Sequence, residues 1–339
     1  MLKRTDESRA SGPGAEEARS RSGSRGAAPA FPIEDFEIKL PASLGSATRA
    51  RVVGNDGLPL VVVLGGISAN RFVCGYENGT TGWWGGLVGE GALIDPARYR
   101  VLGIDFAADE TGRACPTTQD QAQVICAALD HLQVSTAQAL IGASYGAMVG
   151  LSLAQYYPDR LQRLVVISAG AEPHPASTAW RELQRRVVAL GIESGTKSEA
   201  LAIARGMGML SYRTPAEFEQ RFEGGLESDD PVGTTEPGEY LRARGVAFQR
   251  VMTPERFLSL SGSIDRHRSE PEKIHTPCLL IGADSDQLVL PSQMESLAAR
   301  LAGHAELHIL PSIYGHDMFL KEAERIGQII KPFLEKSLS

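Results

Sequence analysis

Residues 141–150 read IGASYGAMVG, a serine set between glycines at alternate positions, Gly142, Ser144 and Gly146, where one apolar run ends and another begins. The run before it, AQALIGA, reads as a strand, and the run after it, GAMVGLSLAQYYP, reads as a helix. The serine therefore sits in a tight strand-to-helix turn, whose neighbours two residues on either side must be small enough to let strand and helix approach; Gly142 and Gly146 meet that need. A helix beginning directly after Ser144 also offers backbone N–H groups and the positive end of its dipole, both suited to holding an oxyanion. As a bare pattern G-x-S-x-G arises by chance in glycine-rich chains, and the strand and helix around it are what give it the meaning of a nucleophile elbow.

Outward from this turn, strand and helix alternate. LPLVVVLGG (58–66) and YRVLGIDF (99–106) read as buried strands, and TQDQAQVICAALDHLQV as a helix with Val124, Ala127, Ala128 and Leu132 on one face. LQRLVVISA follows as a further strand, while FEIKL and ATRARVV read as an opening antiparallel hairpin. From about 172 to 265 no buried strand is evident. Helical patterns fill that stretch: ASTAWRELQRRVVALG, KSEALAIARGMGMLSY, PAEFEQRFEG, and GEYLRARGVAFQRVMTPERFLSLSGSID as one segment. Alternation resumes with the strand and loop TPCLLIGADSDQLVLP, a helix around SQMESLAARLA, the strand AELHILP and a terminal helix from about Met318. The expectation is a doubly wound, mostly parallel α/β sheet over 31–171 and 266–339, interrupted by an inserted helical lid over 172–265 and preceded by a disordered tail over 1–30.

Composition narrows the function. Over 339 residues, 42% hydrophobic and 22% charged residues are ordinary for a globular chain, and a formal net charge of −7 supplies no broad attraction for nucleic acid or anionic lipid. Cys74, Cys115, Cys126 and Cys278 stand far apart, without C-x-x-C or zinc-finger spacing, so neither a disulfide framework nor a metal site is expected. No apolar stretch reaches the roughly 20 residues of a membrane helix, and the first thirty residues lack the apolar core of a signal peptide. The expected location is the cytoplasm.

A lone serine is a poor nucleophile and requires a base and a carboxylate, in chain order Ser, then Asp or Glu, then His. Asp286, in the loop after CLLIGA, and His316, in SIYGHDMFL before the last helix, stand where such a sheet would put them. Asp284 is two residues away in the same loop and competes for the acid role; the Asp-x-x-Val spacing to Val289 favours Asp286, leaving Asp284 to cap the loop. By position alone, the oxyanion donors are the N–H groups of Ile67, after the Gly65–Gly66 turn, and of Tyr145. The other six histidines, His131, His174, His267, His275, His304 and His308, read as surface or packing residues.

From about Leu60 to Phe333 the chain resembles the α/β-hydrolase-fold homoserine O-acyltransferases. The resemblance is carried by GWWGGLVGEGALID (82–95), SYGAMVG, MLSYRTPAEFEQRF (209–222) and YGHDMFL. It implies an α/β-hydrolase fold and a ping-pong transfer of a succinyl or acetyl group from acyl-CoA to L-homoserine in methionine biosynthesis, with Ser144, Asp286 and His316 as nucleophile, acid and base. It further implies that Arg213 binds the acceptor's carboxylate and Asp317 its amino group, where the residues alone read as a helix-surface cation and a helix N-cap. It implies acyl-CoA as a co-substrate with no resident cofactor, and a homodimer formed through the lid. LGGISAN and IDFAADETG depart from longer relatives, and the chain is similar to a shorter, succinyltransferase-like branch. Serine as acceptor, plain ester hydrolysis, and a non-catalytic binding protein are the rival readings.

Overall fold

The buried apolar runs become the middle of one eight-stranded sheet. The computed structural model describes residues 31–40, 47–74, 82–225, 230 and 233–336; the tail expected over 1–30 lies outside them. The strands are β1 (Ile33–Lys39), β2 (Ala47–Val53), β3 (Leu60–Leu64), β4 (Arg100–Ile104), β5 (Ala139–Ala143), β6 (Leu164–Ile167), β7 (Cys278–Ala283) and β8 (Ala305–Leu310), in spatial order β1-β2-β4-β3-β5-β6-β7-β8. β1 and β2 form the expected antiparallel hairpin and β2 pairs antiparallel with β4; every other pairing is parallel. All residues of β3 to β7 are buried, which is why those segments read as continuous rather than alternating apolar runs.

Alternate strand residues feed two cores. Val62, Leu140, Leu164, Val166 and Leu280 pack on the face covered by α1 (Thr118–His131), α2 (Tyr145–Tyr156) and, after the lid, a helix over Pro291–Arg300. Val61, Ile141, Val165, Leu279 and Ile281 pack on the other, with Trp84, Ile94 and the C-terminal helix. Among the described residues, five α-helices lie between β6 and β7, α3 (Pro175–Ser194), α4 (Lys197–Tyr212), α5 (Pro215–Glu219), α6 (Glu236–Phe248) and α7 (Pro254–Asp265). They are followed by α8 (Pro291–Arg300), α9 (Met318–Lys321) and α10 (Ala323–Glu335).

Two helices differ from their expected form. The segment 238–265 is not one helix but α6 and α7, because Pro254 has no N–H to continue a helix from upstream and instead occupies the first turn of a new one, capped by Thr253, whose hydroxyl accepts from the Arg256 N–H at 3.1 Å. The terminal helix from Met318 is also broken. The Phe319 carbonyl, which would accept from residue 323, is taken by the Trp84 indole N–H at 2.9 Å, and Glu322 (φ −116°, ψ 38°) separates α9 from α10.

Candidate active site

Ser144 stands between β5 and α2 with φ 53° and ψ −119°, a backbone conformation that costs an L-residue about 1–3 kcal/mol and persists only where its surroundings enforce it. The flanking glycines show what does so. A Cβ at Gly142 would lie 2.5 Å from the Gly146 carbonyl oxygen, and one at Gly146 would lie 2.5 Å from the Leu64 carbonyl oxygen. The Gly146 N–H donates to Gly65 at 2.9 Å, tying the turn after β3 to the elbow. Ile67 thereby comes to line the same cavity as Ser144. The Tyr145 ring is buried away from that cavity, its hydroxyl 2.6 Å from Ser263 Oγ on α7, so what Tyr145 offers there is its backbone N–H at the head of α2.

The structure brings Ser144, His316 and Asp286 together. His316 Nε2 lies 2.8 Å from Ser144 Oγ, and Nδ1 lies 2.8 Å from Asp286 Oδ2. Asp286 is fixed through its other oxygen, which accepts from the Leu288 and Val289 N–H groups at 2.9 and 3.0 Å; this is the chemical content of the Asp-x-x-Val spacing. Asp284 faces elsewhere and accepts from the Ser312 N–H at 3.1 Å, a loop cap. Burial works against a charged His316 ring, but the Asp286 carboxylate, by charge and hydrogen bond, and Asp317 beside it hold its pKa above the ordinary imidazole value. Gly315 (φ 56°) makes the turn that delivers the ring; a Cβ there would stand 2.8 Å from the Tyr212 carbonyl oxygen. Of the other histidines, His267 is fully buried and 2.9 Å from the Thr118 hydroxyl, with burial pushing it down to about 3, so it packs as a neutral ring.

Above the elbow, the helices between β6 and β7 and the core enclose a cavity of about 220 Å³ lined by Ser144, His316, Trp83 and residues of α3, α4, α6 and α7. Its charges are nearly all paired. Arg181 Nε donates to Asp265 at 2.7 Å, Glu172 meets Arg268 at 3.4 Å, and Asp317 accepts from Arg213 Nε at 3.2 Å. Arg205 is the exception: it has no hydrogen bond or ion pair among the described residues and is held only by the rings of Phe248 and Tyr212, 4.7 and 5.5 Å from its guanidinium carbon. The Tyr212 ring lies 5.9 Å from the His316 ring, so this free cation stands one aromatic ring away from His316.

Arg213 is not the exposed helix cation that its residue type alone suggests, nor does it line the cavity. It is buried at the end of α4, where Glu217 accepts from Nη1 at 3.1 Å and Asp317 from Nε, and it reaches the cavity only through Asp317. Asp317 does line the cavity and makes no side-chain cap to α9. Arg205 was not singled out by sequence reading; the available signal was a lone guanidinium inside the otherwise apolar run ALAIARGMGML. Among the described residues, no cluster of three or more His, Cys, Asp or Glu side chains is placed to hold a metal ion.

Comparison with known proteins gives a consistent picture. Residues 59–323 match the alpha/beta hydrolase fold family. The chain is 40% identical over 284 residues, 83% of its length and 77% of the relative's, to a homoserine O-succinyltransferase of Xanthomonas campestris pv. campestris. It is 33% identical over 287 residues, 76% and 73% of the two chains, to a homoserine O-acetyltransferase of Thermus thermophilus. Among solved structures, esterase E22 superimposes with a TM-score of 0.79 at 20% identity over 90% of this chain and 100% of that one. A homoserine O-acetyltransferase from Bacillus anthracis superimposes with 0.78 at 15% over 91% and 99%. At those identities the structural likeness speaks for the fold alone, which esterases and acyltransferases share.

Proposed function

The chain belongs to the α/β-hydrolase-fold homoserine O-acyltransferases, and on that premise we propose that it moves a succinyl group from succinyl-CoA to the hydroxyl of L-homoserine through an acyl-enzyme. Ser144 Oγ passes its proton to His316 Nε2 and attacks the thioester carbonyl. The N–H groups of Ile67 and Tyr145 hold the oxyanion, and its collapse expels the CoA thiolate, which leaves with the proton from His316. The homoserine hydroxyl then gives its proton to the same nitrogen and attacks the acyl-serine, and collapse returns the proton to Ser144. Asp286 keeps the ring oriented and offsets the charge that it acquires in both halves.

The acceptor is a zwitterion, and the Arg213–Asp317 pair at 3.2 Å is its mirror image in charge. The homoserine ammonium group would take Asp317, and its carboxylate would take Arg213 once that buried guanidinium turns from Asp317 towards the cavity, so the buried charges exchange partners instead of being left bare. A plain esterase for apolar esters has no use for such a pair. Transfer over hydrolysis also requires a site screened from water, which the lid supplies by roofing Ser144.

The choice of succinyl over acetyl is carried by Arg205. Among the described residues, every other charged side chain lining the cavity has a partner of opposite sign, and an acyl group with its own terminal carboxylate would give Arg205 one. The purified enzyme, assayed with homoserine and serine against succinyl-CoA and acetyl-CoA by thiol release and product mass, should prefer succinyl-CoA with homoserine. Arg205→Leu should remove most of the succinyl preference while sparing transfer from acetyl-CoA. Preference for acetyl-CoA in the unmodified enzyme would assign Arg205 another role, and thioester consumption without an O-acylated amino acid would mean hydrolysis.

A homodimer through the lid and a cytoplasmic location belong to the same reading. The first is supported by apolar side chains exposed on the lid helices, Leu183, Leu190, Ile203 and Val246. The second is supported by four unpaired thiols and by a co-substrate made inside the cell. No helix among the described residues is long and apolar enough to cross a membrane.

A further inference from the structure

Beside the catalytic cavity lies a second hollow of about 430 Å³, which shares Ile67, Ser68 and Ala69 with it. Four arginines line it, Arg49, Arg71, Arg250 and Arg256, against a single carboxylate, Asp105. In a protein of net charge −7 this local excess of cations is out of keeping with the whole.

The four arginines are not equivalent. Arg71 is anchored to Asp105 through its backbone N–H at 2.8 Å and its Nη1 at 2.6 Å. Arg256 is anchored to Glu110 at 2.9 Å and to the Phe106 carbonyl at 2.6 Å. Arg49 and Arg250 have exposed side chains that make no hydrogen bond or ion pair among the described residues. Arg49 nonetheless has a pinned backbone, since its carbonyl accepts from the Asp105 N–H at 2.9 Å. One free cation thus stands on β2 of the core and the other on the lid, in the turn between α6 and α7, facing one hollow.

We propose that this hollow binds the phosphorylated nucleotide end of the acyl-CoA donor, with Arg49 and Arg250 clamping its phosphates from the core and the lid. The inference rests on the acyl-CoA reading above. The thioester must reach Ser144, whereas the phosphates at the far end of the same molecule must stay in water near cations. The Ile67–Ala69 segment borders both hollows, and the arm that joins the thioester to the nucleotide would run along it. Guanidinium forks suit phosphate oxygens, and two unpartnered forks need no existing ion pair broken to engage them. The anchored Arg71 and Arg256 add positive potential without moving.

The test uses the full-length enzyme and the double variant Arg49→Ala/Arg250→Ala, which removes exposed side chains without partners. Each lost charged contact to phosphate is expected to raise KM for acyl-CoA on the order of tenfold. KM for homoserine should stay as it was, and the dependence of acyl-CoA KM on salt should flatten. With the same acyl group on N-acetylcysteamine, a thioester without phosphates, wild type and variant should perform alike. Equal losses with both donors would reveal a structural role for the arginines and overturn the clamp, as would an unchanged KM for acyl-CoA. Calorimetric titration with adenosine 3′,5′-bisphosphate gives a readout that does not depend on turnover. Binding by the wild type that is lost in the variant supports the hollow even if no acyl transfer is detected, while equal binding, or none by the wild type, rejects it even if transfer is robust.

Discussion

His316 is subject to opposing influences. Burial disfavours its charged form, yet the carboxylates of Asp286 and Asp317 together raise its pKa. Only the neutral ring can take the proton of Ser144, so a raised pKa means that activity is lost, as pH falls, at a pH above the ordinary imidazole value of about 6.5. Asp317→Asn removes one of the two raising charges, and the acidic limb of kcat/KM should move to lower pH; a pH profile measured with the acyl-CoA half-reaction keeps this apart from any effect on homoserine. The two carboxylates of the acid loop should separate cleanly. Asp286→Asn, which removes the charge facing Nδ1, should cost on the order of 10⁴-fold in turnover, and Asp284→Asn, which touches only the Ser312 N–H, should leave turnover near wild type. Steady-state rates for both variants decide the assignment, and the reverse ranking would move the acid to Asp284.

The elbow is an element under strain whose stability and chemistry oppose each other. Ser144 sits at φ 53° because the glycines before and after it let β5, β3 and α2 close around it. Ser144→Ala should abolish the acyl adduct in mass spectra while retaining the strain. Ser144→Gly should be equally inactive yet more stable than the alanine variant by roughly 1 kcal/mol, since glycine adopts this φ without a Cβ penalty; thermal or denaturant unfolding of the pair measures it. Gly146→Ala is the complementary change. Its Cβ would press on the Leu64 backbone, and a loss of about 1–3 kcal/mol is expected from overpacking.

On the scale of the whole molecule, the helical insertion between β6 and β7 is tied to the core by polar links that include Tyr145 to Ser263, Arg256 to Glu110 and Phe106, Ser177 to Leu288 and Arg213 to Asp317. It also carries exposed apolar side chains facing away from the sheet's own cores, with Leu190 64% and Val246 50% exposed. If two lids cover these residues mutually, sedimentation should show a species of twice the chain mass, and Leu190→Glu with Val246→Glu should reduce it to the single chain; a wild-type monomer at micromolar concentration would reject the lid interface.

The sequence by itself determined the features that depend on neighbours along the chain. Buried strands announced themselves as apolar runs, the elbow as a glycine-flanked serine between strand and helix, and Asp286 and His316 as residues in the loops that follow β7 and β8, since periodicity and turn chemistry are local. It also carried a local stop that the continuous reading of 238–265 passed over, the proline at 254. What only the tertiary structure decided is the partnering of charges. Whether Arg213 is free or held by Glu217 and Asp317, whether Arg205 is paired, and whether Arg49 and Arg250 face one hollow depend on residues up to two hundred positions apart coming within a few ångströms. Ion pairing falls off with distance in space and is indifferent to distance in sequence, so no window of residues contains it.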